Sequence, residues 1–186
     1  MRFVLAAAAV LLCAALPVCA QKNELAAEGS GLIDASAYNP SFGAGFQVNY
    51  ARRLLHVPLV ALYGEVPFVA GFHNEQFVVS QLQREFYNNY YLTPGVRVKF
   101  APEFPISPYL AIGAGWGHFA STQTSASDDE FAADWGGGFD IKLIPLVGLR
   151  FEARDFYGKV PTLIPGVPSN GNHNNIAVSA GVALRF

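Results

Sequence analysis

Apolar and polar positions alternate along most of this chain. At its C-terminal end Ile176, Val178, Ala180, Val182, Leu184 and Phe186 fall on one parity. Ala177, Ser179, Gly181, Ala183 and Arg185 fall on the other. A period of two is that of a strand whose faces meet different surroundings. The pattern recurs upstream. Phe42, Ala44, Phe46, Val48 and Tyr50 alternate with Gly43, Gly45, Gln47, Asn49 and Ala51. Val96, Val98 and Phe100 alternate with Gly95, Arg97 and Lys99. Phe131, Ala133, Trp135, Phe139, Ile141 and Leu143 alternate with Asp134, Gly136, Gly138, Asp140 and Lys142. Val147, Leu149, Phe151 and Ala153 alternate with Gly148, Arg150, Glu152 and Arg154. Three further strands are expected at about 23–33, 58–69 and 108–121 by the same test, the first with the poorest alternation.

The expected count is therefore eight strands. Links at 52–57, 101–107 and 144–146 are short, with prolines at or beside them. Links near 70–89, 122–130 and 158–174 are longer and polar, while 34–40 is short. Short turns at one end and long loops at the other are the asymmetry of a membrane barrel, with the short turns and both termini periplasmic.

Alternation does not say which face is outside, because a lipocalin-like soluble barrel also alternates. Side-chain size separates the two. An eight-stranded barrel has a lumen just wide enough to be filled by side chains. Here the polar face is rich in small residues, and the apolar face carries the bulk. The inward set contains Glu28, Glu65, Asp134, Asp140 and Glu152 against Arg97, Lys99, Lys142, Arg150, Arg154 and Arg185. Such near balance is what a closed lumen needs, because an unpaired buried charge is costly. The expected lumen network centres on Arg97, Lys99, Asp140, Lys142, Arg150, Glu152 and Arg154. Aromatic residues gather toward two rims. Tyr50, Phe100, Tyr109 and Phe186 are expected at the periplasmic one, and Phe68, Tyr90, Tyr91, Trp116, Phe131, Phe156 and Tyr157 at the other.

The first residues change the picture by adding a compartment. Met1 and Arg2 precede an apolar run from Phe3 to Leu16, Pro17 breaks it, and Val18, Cys19 and Ala20 follow. This predicts a secretory signal over residues 1–20, cut between Ala20 and Gln21, and one domain over 21–186. The run is short for a spanning helix. Cys19 sits in an imperfect lipoprotein box, since Val18 is a poor fit before the cysteine, and its lipidation is the lesser alternative. Both cysteines lie in this segment. Cleavage removes them, and with them disulfides and thiolate chemistry. The product has 166 residues (186 less 20), 11 basic and 14 acidic, a net charge of −3 (11 − 14). No basic stripe points to nucleic acid.

Trp135 to Leu143 (WGGGFDIKL), Leu149 to Tyr157 (LRFEARDFY) and Pro108 to Gly117 (PYLAIGAGWG) resemble segments of the outer-membrane β-barrel domain family, the OmpA-like and opacity-type eight-stranded barrels. The resemblance covers most of the chain after residue 20 and is best from residue 90 onward. It implies an all-β, up-and-down, eight-stranded antiparallel transmembrane barrel in a Gram-negative-type outer membrane, with outer-membrane lipids as its surroundings. Val182, Leu184 and Phe186 resemble the family's C-terminal signal, which implies the barrel-assembly machinery as a transient partner. The chain stops at its last strand, so the peptidoglycan-binding domain of full OmpA-type proteins is not expected.

No residue set predicts catalysis strongly. Gly113 to Gly117 and Gly136 to Gly138 lack the strand–turn–helix setting of a nucleotide loop. His73, His118 and His173 fall near the expected outer loops without ligand spacing, so no metal and no cofactor are expected. A lipid-modifying hydrolase would have to use His118, Ser121 and an acid from Asp128, Asp129 or Glu130. Residues three apart on a strand face opposite ways, which works against that set. A narrow pore is a further alternative, opposed by the filled lumen. The expectation is a non-enzymatic, monomeric barrel with a structural or surface-interaction role, any extracellular partner meeting loops 70–89 and 158–174.

Overall fold

The computed structural model describes residues 22–35, 41–73, 87–122, 126–159 and 172–186. The expected signal at 1–20, the Ala20–Gln21 junction and most of the two long loops lie outside them. Among the described residues nine strands follow in chain order: β1 (Asn23–Asp34), β2 (Ser41–Val57), β3 (Val60–His73), β4 (Tyr87–Leu92), β5 (Gly95–Phe100), β6 (Ile106–Ser121), β7 (Ser127–Ile144), β8 (Val147–Lys159) and β9 (Asn172–Arg185). All pairings are antiparallel, and β1 pairs with both β2 and β9, so the sheet closes on itself.

Strands β4 and β5 are two halves of one barrel stave. Each pairs with β3 on one side and β6 on the other. Thr93 and Pro94 interrupt them, because proline has no N–H to give the ladder. The ring is thus the expected eight-stave barrel with one broken stave, which is why the strand count reads nine. Among the described residues no helix is long and apolar enough to cross a membrane.

Inside and outside follow strand parity. β1 alternates buried and exposed along nearly its whole length, including the stretch whose sequence alternates poorly. Its inward residues are Glu24, Ala26, Glu28, Ser30, Leu32 and Asp34, and its outward ones after Asn23 are small or aliphatic. Outward positions elsewhere carry exposed Phe46, Leu110, Ile112, Trp135, Phe151 and Val182. Large apolar side chains on the outer surface of a closed ring are what a lipid-facing band requires.

Three expected girdle residues lie inside instead. Tyr91, Tyr109 and Phe156 are buried, because their parity on β4, β6 and β8 points them into the lumen. The 52–57 link also differs. Strand β2 runs on through Val57, and Pro58 and Leu59 alone make the turn. Two lumen-facing glycines let the wall pack tightly. A Cβ at Gly138 would lie 2.1 Å from the Phe151 carbonyl oxygen, and one at Gly181 2.1 Å from that of Ala27.

Candidate functional site

The lumen is filled by two linked tiers of charge. In the tier nearer the termini, Glu24 from β1 faces Lys99 of β5 at 2.6 Å and Arg150 of β8 at 2.9 Å. Asp140 of β7 meets the same Lys99 at 2.7 Å and Arg150 Nε at 2.8 Å. Arg185 of β9 joins both carboxylates from the rim, at 3.4–3.5 Å. Arg97 stands between the tiers, 3.3 Å from Glu24 and in close contact with Glu65 of β3.

The second tier is organised by Arg154 of β8. Its three nitrogens reach Glu65 at 2.8 Å, Asp134 at 2.7 Å and Glu152 at 2.9 Å. Arg97, Arg150 and Arg154 are all essentially inaccessible. Neutral groups complete the carboxylate shells. Gln47 Nε2 donates to Glu152 at 2.6 Å, the Tyr109 hydroxyl donates to Glu152 at 2.7 Å, and Asn49 Nδ2 donates to Glu65 at 3.1 Å. The Tyr109 ring lies 4.8 Å from the Arg97 guanidinium and 5.3 Å from that of Arg150. A ring face between two cations offsets part of their repulsion.

Among the described residues below the aromatic layer, the buried charges are Glu24, Glu28, Glu65, Asp134, Asp140 and Glu152 against Arg97, Lys99, Arg150, Arg154 and Arg185. Glu28 stands apart, with no hydrogen-bond partner on either carboxylate oxygen. Above the ions, Leu32, Val69, Tyr87, Tyr91, Phe119, Ala132, Phe156 and Ala177 form an apolar plug. Tyr91 stacks on Phe156 at 4.4 Å. Nearer the loop end, the Tyr87 hydroxyl donates to Asp34, and the His73 ring stacks on Tyr87 at 4.7 Å. A charged plug under an aromatic plug leaves side chains where a channel would have to run.

The structure places Arg97, Lys99, Asp140, Arg150, Glu152 and Arg154 together in this lumen. Lys142 sits apart from them, half-buried, with its Nζ 3.4 Å from the carbonyl oxygens of Pro102 and Glu103 at the β5–β6 turn. Glu24 is the main residue that sequence reasoning passed over. Its signal was parity, since it stands two strides before Glu28 on the inward set. Tyr109 was missed for another reason: aromaticity alone does not tell a rim from a lumen.

The outer rim holds a second polar arrangement. His118 Nδ1 lies 2.6 Å from Asp129 Oδ1, across the β6–β7 register. Trp116 stacks on the His118 ring at 5.4 Å, and the Tyr90 ring, its register partner on β4, lies 6.1 Å away. All face outward. Ser121 has the opposite parity to His118, and Ala120 fills the next outward position on β6. His73 is inside the barrel and His118 outside it, while the His173 side chain is not among those described. Among the described residues no group of three or more His, Cys, Asp or Glu could hold a metal ion.

A closed antiparallel barrel with a lipid-type exterior and an ion-paired interior is an integral membrane barrel. The model of the outer membrane protein beta-barrel domain matches residues 6–186, and the chain belongs to that family. It is therefore an outer-membrane protein. Among solved structures, Neisserial surface protein A is similar with a TM-score of 0.68 and 13% identity, over 88% of this chain and 97% of that one. Ail, the attachment invasion locus protein of Yersinia pestis, gives 0.53 and 16%, over 89% and 100%. The outer membrane enzyme PagL gives 0.51 and 13%, over 86% and 99%. Identities this low carry the fold and nothing finer. No curated protein matches the chain.

Proposed function

We propose that this protein is a closed, monomeric, non-enzymatic barrel with a structural or surface-interaction role in the outer membrane. The filled lumen is the observation that carries the reading. Its guanidinium groups are tied to carboxylates from several strands, so opening a path for solutes would mean breaking several buried ion pairs at once. The loops at 70–89 and 158–174 are the surface left for an extracellular partner. Residues 1–20 act as the export signal, and the exposed Val182 and Leu184 of β9, with Phe186 just after it, serve recognition by the barrel-assembly machinery.

One observation favours a second reading. An Asp–His pair of 2.6 Å on the outward face is half of a hydrolytic set. Against it, Ser121 points away from that face, and Ala120 offers no hydroxyl. Protein refolded into vesicles and planar bilayers tests both points. The expected result is no stable channel steps and no turnover of lipid A or phospholipid. Steady ohmic steps overturn the closed barrel. Turnover lost in both His118→Ala and Ser121→Ala overturns the non-enzymatic reading.

A further inference from the structure

Strand β2 carries a register shift between Arg53 and Leu55. Up to Arg52 its outward residues are the even ones. Beyond the shift Leu55 pairs with Leu62 and Val57 with Val60, both on the outward face of β3. The bulge therefore turns two odd-numbered residues outward that would otherwise point inward. The extra residue, Leu54, lies over Gly64, its Cδ1 3.5 Å from where a Cβ would stand. Leu54 is 62% exposed, Leu55 60%, Val57 45% and Leu59 66%. A short turn in water has no reason to carry four such side chains, which lose roughly 25 cal/mol for every Å² of apolar surface left wet.

The apolar tip continues the lipid-facing band. Leu55 lies in one cross-strand row with Leu62, Val98 and Leu110. Its flanks are basic. Arg52, on the outward face beside Leu54, and Lys22 are both exposed. The two ends of the barrel also differ in sign among the described residues. The short-turn end carries Lys22, Arg52, Arg53 and Lys142 against Glu103, which His56 engages at 3.0 Å. The loop end carries Asp128, Asp129 and Glu130 against Lys159.

We infer that the bulged β2–β3 hairpin is an inner-leaflet anchor that binds anionic phospholipid. Leu54, Leu55, Val57 and Leu59 enter the acyl boundary. Arg52 and Lys22 meet the headgroup phosphates, where each basic side chain near an anionic surface contributes roughly five-fold in partitioning. Continuity with the band and the charge of the flanks favour lipid over a partner protein as the occupant.

A single tryptophan at the tip reads this directly. Leu59→Trp is made in full-length mature protein carrying Trp116→Phe and Trp135→Phe, and refolded into phosphatidylcholine vesicles with or without phosphatidylglycerol. A heat-dependent gel shift checks that the barrel has closed, and Leu55→Trp replaces Leu59→Trp should that variant fail to close. The expected emission is blue-shifted, shielded from acrylamide and largely lost to brominated acyl chains. Phosphatidylglycerol increases that loss, and Arg52→Gln with Lys22→Gln abolishes the increase. Emission that stays water-like and open to acrylamide in both lipids overturns the anchor and leaves the tip to a protein partner. Quenching that ignores phosphatidylglycerol overturns the anionic preference.

Discussion

Arg154 is the most informative single position, because one side chain satisfies three carboxylates. Replacing it with methionine keeps much of the volume and removes the charge. Glu65 then keeps Arg97 and Asn49, and Glu152 keeps Gln47 and Tyr109. Asp134 fares worst. Its Oδ2 accepts from Arg154 at 2.7 Å, and its Oδ1 has no hydrogen-bond partner. Removing one partner of a buried ion pair costs about 3–5 kcal/mol, because the other charge stays buried and uncompensated. That is roughly two to four powers of ten in the folding equilibrium. The assay is reversible denaturant unfolding in lipid vesicles, followed by tryptophan emission from the lipid-facing Trp116 and Trp135. Adding Asp134→Asn to Arg154→Met should recover a substantial part of the loss, since it neutralises the orphaned carboxylate. An Arg154→Met barrel within about 1 kcal/mol of the parent would refute the claim that these ion pairs are buried in a closed lumen. Failure of the double variant to improve on the single would point to packing, not charge, as the origin of the loss.

Three further outcomes are expected. Ile112→Arg places a charge on the lipid face, where Ile112 is 59% exposed, and should cost about 2–4 kcal/mol in the same unfolding assay, while Ile112→Leu stays near the parent. Gly138→Val forces a Cβ against the Phe151 carbonyl and the Tyr109 hydroxyl, so the gel shift that marks barrel closure should weaken or vanish; unchanged closure would contradict the tight β7–β8 packing. N-terminal sequencing of the protein from outer membranes should begin at Gln21, and a start at a lipid-modified Cys19 would instead establish the lipoprotein route.

The alternating pattern, read alone, determined most of the fold. A period of two with bulk on one face and small or charged residues on the other defines a two-sided strand, and enough such strands with short turns must close. It was least legible in β1. Leu25, Ala27 and Gly29 face outward there, while Ala26, Glu28 and Ser30 face inward, so small residues stand on both faces and bulk does not mark the outer one. What separates them is the ring closure by β2 and β9, which is a long-range fact. The interior charge set was likewise visible as parity, but its pairing was not. Which acid meets which base depends on register across strands far apart in sequence, as when Glu24 meets Arg150.

Parity also has a limit that only tertiary structure removes. Aromatic character by itself assigns Tyr91, Tyr109 and Phe156 to the rims, yet each is inside, where a stack or a carboxylate occupies it. The β2–β3 hairpin shows the same limit from the other side. A single bulged residue inverts inside and outside for the rest of strand β2, Leu55 to Val57, and nothing in the local sequence marks the shift. That the chain alternates, closes and lies in a membrane is written in its local pattern, because burial of apolar surface depends on which parity carries the bulk. The structure alone decided which charges neutralise one another and which way the hairpin's leucines point, because both depend on register.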